Sequence, residues 1–246
     1  MVLGLLVVAA CTSGDPKAQE EGEGGAVTVL AAASLTGAFE EIALAFESEH
    51  PGVDVQLSFD GSARLATAIL EGAPADVFAP ADAPNMERLV AEGLVAGDPV
   101  DFAINVVQIV VPAGNPDGIS SLQDLTTPGR RVALCAPAAP CGRYAAIAFA
   151  LAGLDLPPAA EQENVKGVLT QVQLGEADAG IVYATDVLAA EGVESVDLPE
   201  DQWVQTLSPV AVLDDAPNPA AAASFVGFLR GNEARRILTG LGFGIP

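Results

Sequence analysis

Positive charge is scarce in this chain. Lys and Arg total 10 of 246 residues against 33 Asp and Glu, a formal net charge of −23. Nucleic acid needs a basic stripe to neutralise its phosphates, and ten scattered cations do not make one, so it is excluded as a partner. The acidic excess serves solubility. Histidine is scarcer still. The single His50 precedes Pro51 at the end of a helical pattern, the place of a C-terminal cap. The sequence has no G-x-S-x-G elbow, no P-loop and no H-E-x-x-H. Its many carboxylates, such as Glu40 and Glu41, fall on solvated helix faces without the spacing of metal ligands. We therefore expect no enzyme, no cofactor and no residues acting as direct metal-cation ligands. An extracytoplasmic hydrolase is the weakest reading that stays open.

Aromatic residues make up only 5% of a chain that is 50% hydrophobic, so the core must be built from Ala, Val, Leu and Ile. That suits alternating strands and helices, and the length is enough for one or two domains with a large core. Long apolar runs are missing too. Residues 2–10 are apolar, but a bilayer span takes about 20 such residues. The run ends in Val8-Ala9-Ala10-Cys11, which resembles a bacterial lipobox, where cleavage leaves Cys11 as a lipidated first residue. The positive segment usual before such a run is absent, and a buried N-terminal strand is the competing reading. Residues 12–25, rich in Gly and Glu without periodicity, then read as a flexible tether. Residues 1–25 together are the expected signal and tether. They place the protein outside the cytoplasm, anchored to the cell membrane by lipid only.

Cysteine is limited to three. Besides Cys11 there are Cys135 and Cys141, flanking a short segment with Pro137 and Pro140. Oxidising surroundings permit a disulfide between them. Two buried free thiols are the alternative, and we expect the pairing.

Strand and helix patterns alternate along the rest. Residues 27–32 read as a buried strand. From Leu35 onward Phe39, Ile42, Ala43 and Phe46 mark one face of a helix that Pro51-Gly52 ends. Residues 53–59 alternate as a second strand, Gly61-Ser62 opens a second helix, 76–78 is a short strand and 85–92 a helix. This β-α-β-α-β order implies parallel strands with helical crossovers. The long apolar run 105–111 suits a passage from one lobe to another. Beyond it, strands are expected at 131–135, 179–183 and 209–213, and helices at 120–125, from Gly142, at 164–174 and over 220–238. No fixed-period repeat and no Gly-Ser linker divides the chain, which favours two interleaved lobes over two sequential domains.

Ser34 and Ser62 share one kind of position, just after a strand and just before a helix. The first N–H groups of a helix have no internal partner and carry partial positive charge, so an anion is held there without a formal counter-charge. In open α/β sheets such turns lie where ligands bind. Serine is also a preferred N-cap with no ligand involved, and each residue alone is open to that reading.

The segments "AAASLTGAFEEIA", "GSARLATAILEGAPADVFAPAD", "ENVKGVL" and "GIVYATD" occur in this order. As a set they resemble the molybdate-binding proteins of bacterial ABC importers, over roughly residues 27–246. The resemblance implies a class II periplasmic-binding-protein fold, α/β in type, with two interleaved lobes, a hinge and a ligand cleft. Lobe 1 would comprise 26–105 and 209–246, and lobe 2 residues 106–208, with crossovers near 104–108 and 206–210. It also implies an oxyanion site. Its two serine ligands match Ser34 and Ser62. Its backbone donors match Cys141, where the family has a Pro-Ala-Gly turn, and Val165. Its tyrosine hydroxyl matches Tyr183. Bland readings stand beside these: Tyr183 as a cap on the core, Val165 as a first-turn residue, Cys141 as a disulfide partner only. The expected ligand is molybdate, with tungstate, and the expected partner an ABC importer permease. A monomer is expected. A receptor for sulfate or another oxyanion is the alternative.

Arg64, Arg143 and Lys166 each lie within two residues of a site position. They read either as solvated helix-start residues or as a positive collar that speeds the approach of a dianion without touching it.

Overall fold

The structure, a computed structural model, describes residues 24–246. Cys11, its apolar run and nearly all of the tether lie outside the described residues. Strand β1 (Gly25–Ala32) passes straight into a 3-10 turn, Ala33–Leu35, and helix α1 (Thr36–Glu49). The helix buries Ala38, Phe39, Ile42, Ala43 and Phe46, the stripe that a 3.6-residue period brings to one face. His50 closes it: the ring stacks on Phe46 at 4.0 Å and Nδ1 bonds the Phe46 carbonyl at 3.0 Å.

Strand β2 (Val53–Asp60) pairs parallel with β1, and helix α2 (Ser62–Leu70) leads to β3 (Val77–Ala79), parallel to β1 on its other side. Helix α3 (Ala83–Ala91) follows, and then β4 (Val95–Pro112), 18 residues long. Its first part was not legible as strand. Gly97, Asp98 and Pro99 break the apolar pattern, and the pairing shifts register between Ala96 and Val100 and again between Asp101 and Ala103. Such bulges interrupt the two-residue alternation that a sequence reading relies on.

Next come α4 (Leu122–Leu125), β5 (Val132–Cys135), α5 (Pro140–Leu151), β6 (Ala159–Gln162), α6 (Val165–Gln173), β7 (Ala179–Tyr183), α7 (Ala184–Leu188) and β8 (Val193–Val196). β9 (Gln205–Leu213) begins four residues before the expected 209. The helical stretch 220–238 is two helices, α8 (Pro219–Leu229) and α9 (Asn232–Gly240), separated at Gly231. Both β6 and β8 are half exposed, so neither shows an apolar run.

The strands follow the order β2-β1-β3-β9-β4-β7-β5-β6, with β8 also on β4. β4 serves both halves: from Val95 to Val106 it pairs with β9, and from Val107 onward with β7 and β8. The buried apolar residues separate in the same way. One cluster draws only on residues between Val107 and Val204. The other two draw on residues up to Ala103 and from Val210 onward. This is a two-lobed α/β fold in which the chain leaves lobe 1 along β4 and returns along β9. At the crossing, Ile104, Asn105 and Val106 face Leu207, Thr206 and Gln205. Asn105 Nδ2 donates to Thr185 Oγ1 at 2.8 Å, and Thr206 Oγ1 to the Ala81 carbonyl at 2.5 Å, so the buried polar groups of the crossing are satisfied.

Candidate functional site

Several strand-to-helix junctions open on one cavity between the lobes. Its empty volume, mouth included, is about 230 Å³. Even with the mouth counted, the space is small, which suits a compact ion. Ser34, Ser62, Cys141, Val165 and Tyr183 all line it. Its described neighbours offer no group of three or more His, Cys, Asp or Glu fit for a metal ion.

The junctions leave donors unspent. The Ala33–Leu35 turn, α2 and α5 have no side chain capping their first N–H groups. In α5 the first residue is Pro140, which has no N–H, so Cys141 carries the first donor. Helix α6 is capped by Asn164, whose side chain accepts from Gly167 N–H at 3.1 Å. That bond engages the third residue, and the N–H of Val165 stays at the open end of the helix.

The side chains add hydroxyls. Ser62 is 1% exposed, and its Oγ accepts the Ala81 N–H at 3.0 Å, which leaves the hydroxyl proton to be donated. Ser34 is half-buried on the 3-10 turn. Tyr183 ends β7 and is 1% exposed, and its hydroxyl has no hydrogen-bond partner among the described residues. Burial, then the nearby Tyr144 and Asp186, push its pKa well above the ordinary phenol value, so the hydroxyl keeps its proton and acts as a donor. Asp186 fixes its backbone by accepting the Tyr183 N–H at 3.3 Å. Asp186 is itself buried and pairs with Lys166 Nζ at 3.0 Å. Burial raises its pKa and Lys166 opposes the rise.

Cys135 and Cys141 are joined by a disulfide, with Cα atoms 5.6 Å apart. It ties the end of β5 to the first turn of α5, one residue from the Gly142 backbone that packs on the Cys135 and Ala136 carbonyls.

The three expected collar residues are not free. Arg64 pairs with Asp60, Nε to Oδ2 3.3 Å, and with Glu163; Arg143 pairs with Asp82; Lys166 pairs with Asp186. A cation already matched to a carboxylate projects little field, so the steering role is not supported by this arrangement. Sequence reasoning missed Asp60, Gly61, Glu163 and Asn164 as lining residues. Gly61, Glu163 and Asn164 stood inside recognised segments and Asp60 directly before one, but nothing local marked the carboxylates as wall rather than solvated charge.

A family model described as bacterial extracellular solute-binding protein matches residues 27–244. The molybdate-binding protein ModA of Mycobacterium tuberculosis is 42% identical over 250 aligned residues, covering 100% of this chain and 95% of that protein. Among solved structures, the periplasmic molybdate-binding protein of Azotobacter vinelandii superposes with a TM-score of 0.79 at 22% identity, over 89% of this chain and 99% of that one. The sulfate-binding protein SubI of Mycobacterium tuberculosis gives a TM-score of 0.77 at 25% identity, over 89% and 86%.

Proposed function

Given that this chain belongs to the bacterial extracellular solute-binding proteins, we propose that it captures molybdate, and tungstate with it, for an ABC importer. It is a binding component of transport rather than an enzyme. The observation that carries the ligand reading is the Tyr183 hydroxyl: buried, protonated, without a partner among the described residues and on a cavity rimmed by open helix starts. A buried hydroxyl left unmade costs about 1–3 kcal/mol, and a bound oxyanion removes that cost. In this reading the hydroxyls of Ser34, Ser62 and Tyr183 and the N–H groups of Cys141 and Val165 donate to the anion. All are neutral, so selectivity rests on size and donor count. Sulfate has the same charge and shape but is smaller, and a cavity fixed in size holds it with longer, weaker bonds.

The lobe boundaries we assign are 26–105 with 209–246, and 106–208, supported by the segregation of the cores. The rest of the proposal concerns the setting. Lipidation at Cys11 would hold the protein outside the cytoplasm on the cell membrane, as a monomer that delivers its ligand to a permease. No helix of the described residues is long and apolar enough to cross a membrane.

Calorimetric titration with molybdate, tungstate, sulfate and phosphate tests the ligand. Molybdate and tungstate should bind tightly and sulfate far more weakly. The likeness to a sulfate-binding protein gives the competing outcome: sulfate binding at least as tight as molybdate would replace the proposal with a sulfate receptor.

A further inference from the structure

Two of the three cations beside the cavity find their carboxylates in the other lobe. Arg64, on α2 of lobe 1, reaches Glu163, the residue before the α6 cap in lobe 2. Asn164 Nδ2 adds a second link to Asp60 Oδ1, at 3.3 Å. Arg143 on α5 of lobe 2 likewise reaches Asp82, the N-cap of α3 in lobe 1. Asp82 is fully buried, and its Oδ1 is already held by Asn85, through N–H at 3.3 Å and Nδ2 at 2.7 Å. Oδ2 is left for Arg143. Lys166, by contrast, pairs within lobe 2.

Both pairs adjoin the cavity: Asp60, Glu163 and Asn164 line it, Asp82 follows the lining residue Ala81, and Arg143 lies two residues past the lining residue Cys141. Beside the first pair the lobes also touch through backbone. A Cβ on Gly61 would lie 2.7 Å from the Glu163 carbonyl oxygen, so only glycine permits this approach.

We propose that Arg64 and Arg143 are positioning residues that clasp the closed cleft over its ligand. The proposal rests on the reading of the cavity as an oxyanion site. Each clasp has one half on each lobe, so it exists only when the lobes meet, and its energy belongs to the closed state. Two arginines against three carboxylates leave no positive field at the mouth to speed an incoming dianion. The clasps therefore act on escape, not on approach. They are also unequal. The Arg64–Glu163 pair is exposed, at 59% and 69%, and such pairs contribute little. Asp82 is at 0%, so removing Arg143 leaves a carboxylate that closure must bury without its counter-charge, the more costly defect.

Stopped-flow measurement of molybdate binding to R64Q, R143Q and the double variant decides the matter. R143Q should raise the dissociation rate about tenfold and R64Q about twofold, with association within about twofold of wild type at low salt. R143K should recover part of the loss, and R143Q/D82N should dissociate more slowly than R143Q because no unpaired charge remains. A role confined to folding would shift the melting temperature without this split between the two rates. Slower association with unchanged dissociation would overturn the clasp in favour of steering, and no change in either rate would reduce both arginines to surface charges. Wild-type protein that ignores molybdate would instead overturn the ligand reading. Small-angle scattering then still judges the clasp: the double variant should have a larger radius of gyration than wild type, and equal radii would overturn it.

Discussion

Lobe 1 meets the cavity with two serines, and lobe 2 with a cysteine, a valine and a tyrosine. In lobe 1 the two serine-bearing junctions are almost without a loop. β1 enters the 3-10 turn directly, and Gly61 alone separates β2 from α2. The strand then sets where the first N–H groups point, and a small hydroxyl completes the donor set. In lobe 2 the Tyr183 junction is equally direct, β7 passing into α7, but at the Cys141 junction four residues, 136–139, separate β5 from α5, and here the chain is cross-linked by the disulfide. A loop leaves the helix start free to drift, and a covalent tie restores the precision that a short junction gives at no cost. A donor is thus placed either by brevity of connection or by bracing.

Removing the brace should have the largest effect. C135S/C141S should lose about 2–3 kcal/mol of stability by the loop-entropy model. Molybdate affinity should fall further than the loss of a side chain that makes no ligand bond would explain. Denaturant unfolding and calorimetry read the two effects. Stability lost with affinity intact would show that the Ala136 N–H to Gln162 carbonyl bond, 2.8 Å, already holds the loop, and the contrast between the lobes would fail.

Hydroxyl deletions come next. S62A, S34A and Y183F should each weaken binding by about 1–3 kcal/mol, roughly fivefold to 150-fold. Ser62 should exceed Ser34, because it is fully buried and its loss also strands the Ala81 N–H. Y183F should instead stabilise the unliganded protein slightly, since it removes an unpartnered buried hydroxyl. With the Tyr183 pKa raised well above 10.0 by burial, its contribution to affinity should be flat across neutral and mildly alkaline pH. A fall in affinity near pH 8–9 that Y183F abolishes would contradict this. Gly61→Ala tests the junction itself. A methyl against the Glu163 carbonyl should cost about 1–2 kcal/mol of closure, seen as faster dissociation. An unchanged dissociation rate would mean that the lobes do not need this approach.

Much of this was legible because it is local. Val27, Val29 and Ala31 bury as an apolar run, Phe39, Ile42 and Phe46 as a helical stripe, and β7 as 179–183. Ser34 and Ser62 stand at junctions that the change of period marks. What was not legible is long-range or exposed. β6 and β8 have no buried run, and the early part of β4 is bulged. The cross-lobe partners of Arg64 and Arg143 lie 99 and 61 residues away, and no local pattern links a carboxylate to a cation that folding alone brings near; only Asp60, four residues before Arg64, is local. The collar was therefore visible as three charges, while the acids that reach Arg64 and Arg143 from the other lobe were not.

The smallest effect concerns a device that the lobes share. In lobe 1, Asp76 precedes β3 and exchanges bonds with Thr28: the Asp76 N–H reaches the Thr28 carbonyl at 2.8 Å, and the Thr28 N–H reaches Asp76 Oδ2 at 2.8 Å. In lobe 2, Asp178 precedes β7 and does the same with Arg131, at 2.8 and 2.9 Å. The copies differ in surroundings. Asp76 is 1% exposed and also accepts the Asn218 N–H at 2.6 Å, whereas Asp178 adds the guanidinium of Arg131, itself 56% exposed. Burial raises the Asp178 pKa, but the backbone N–H and guanidinium of Arg131, with the charge of Arg130, outweigh it and hold the carboxyl below the usual 3.8. A lowered folded-state pKa means that the carboxylate contributes stability above about pH 3.8, and that this contribution is lost as pH falls through the folded value. D178N should therefore lose about 0.2–1 kcal/mol at neutral pH, discounted for its exposed partner, and its stability should fall less steeply than wild type below pH 4. D76N should lose more at neutral pH, since a buried carboxylate holding two backbone N–H groups is replaced. Denaturant midpoints for both variants at pH 7 and pH 3.5 test the pair. Parallel acid curves for D178N and wild type would mean that Arg131 gives the carboxylate no electrostatic support, and that the two lobes use this aspartate identically.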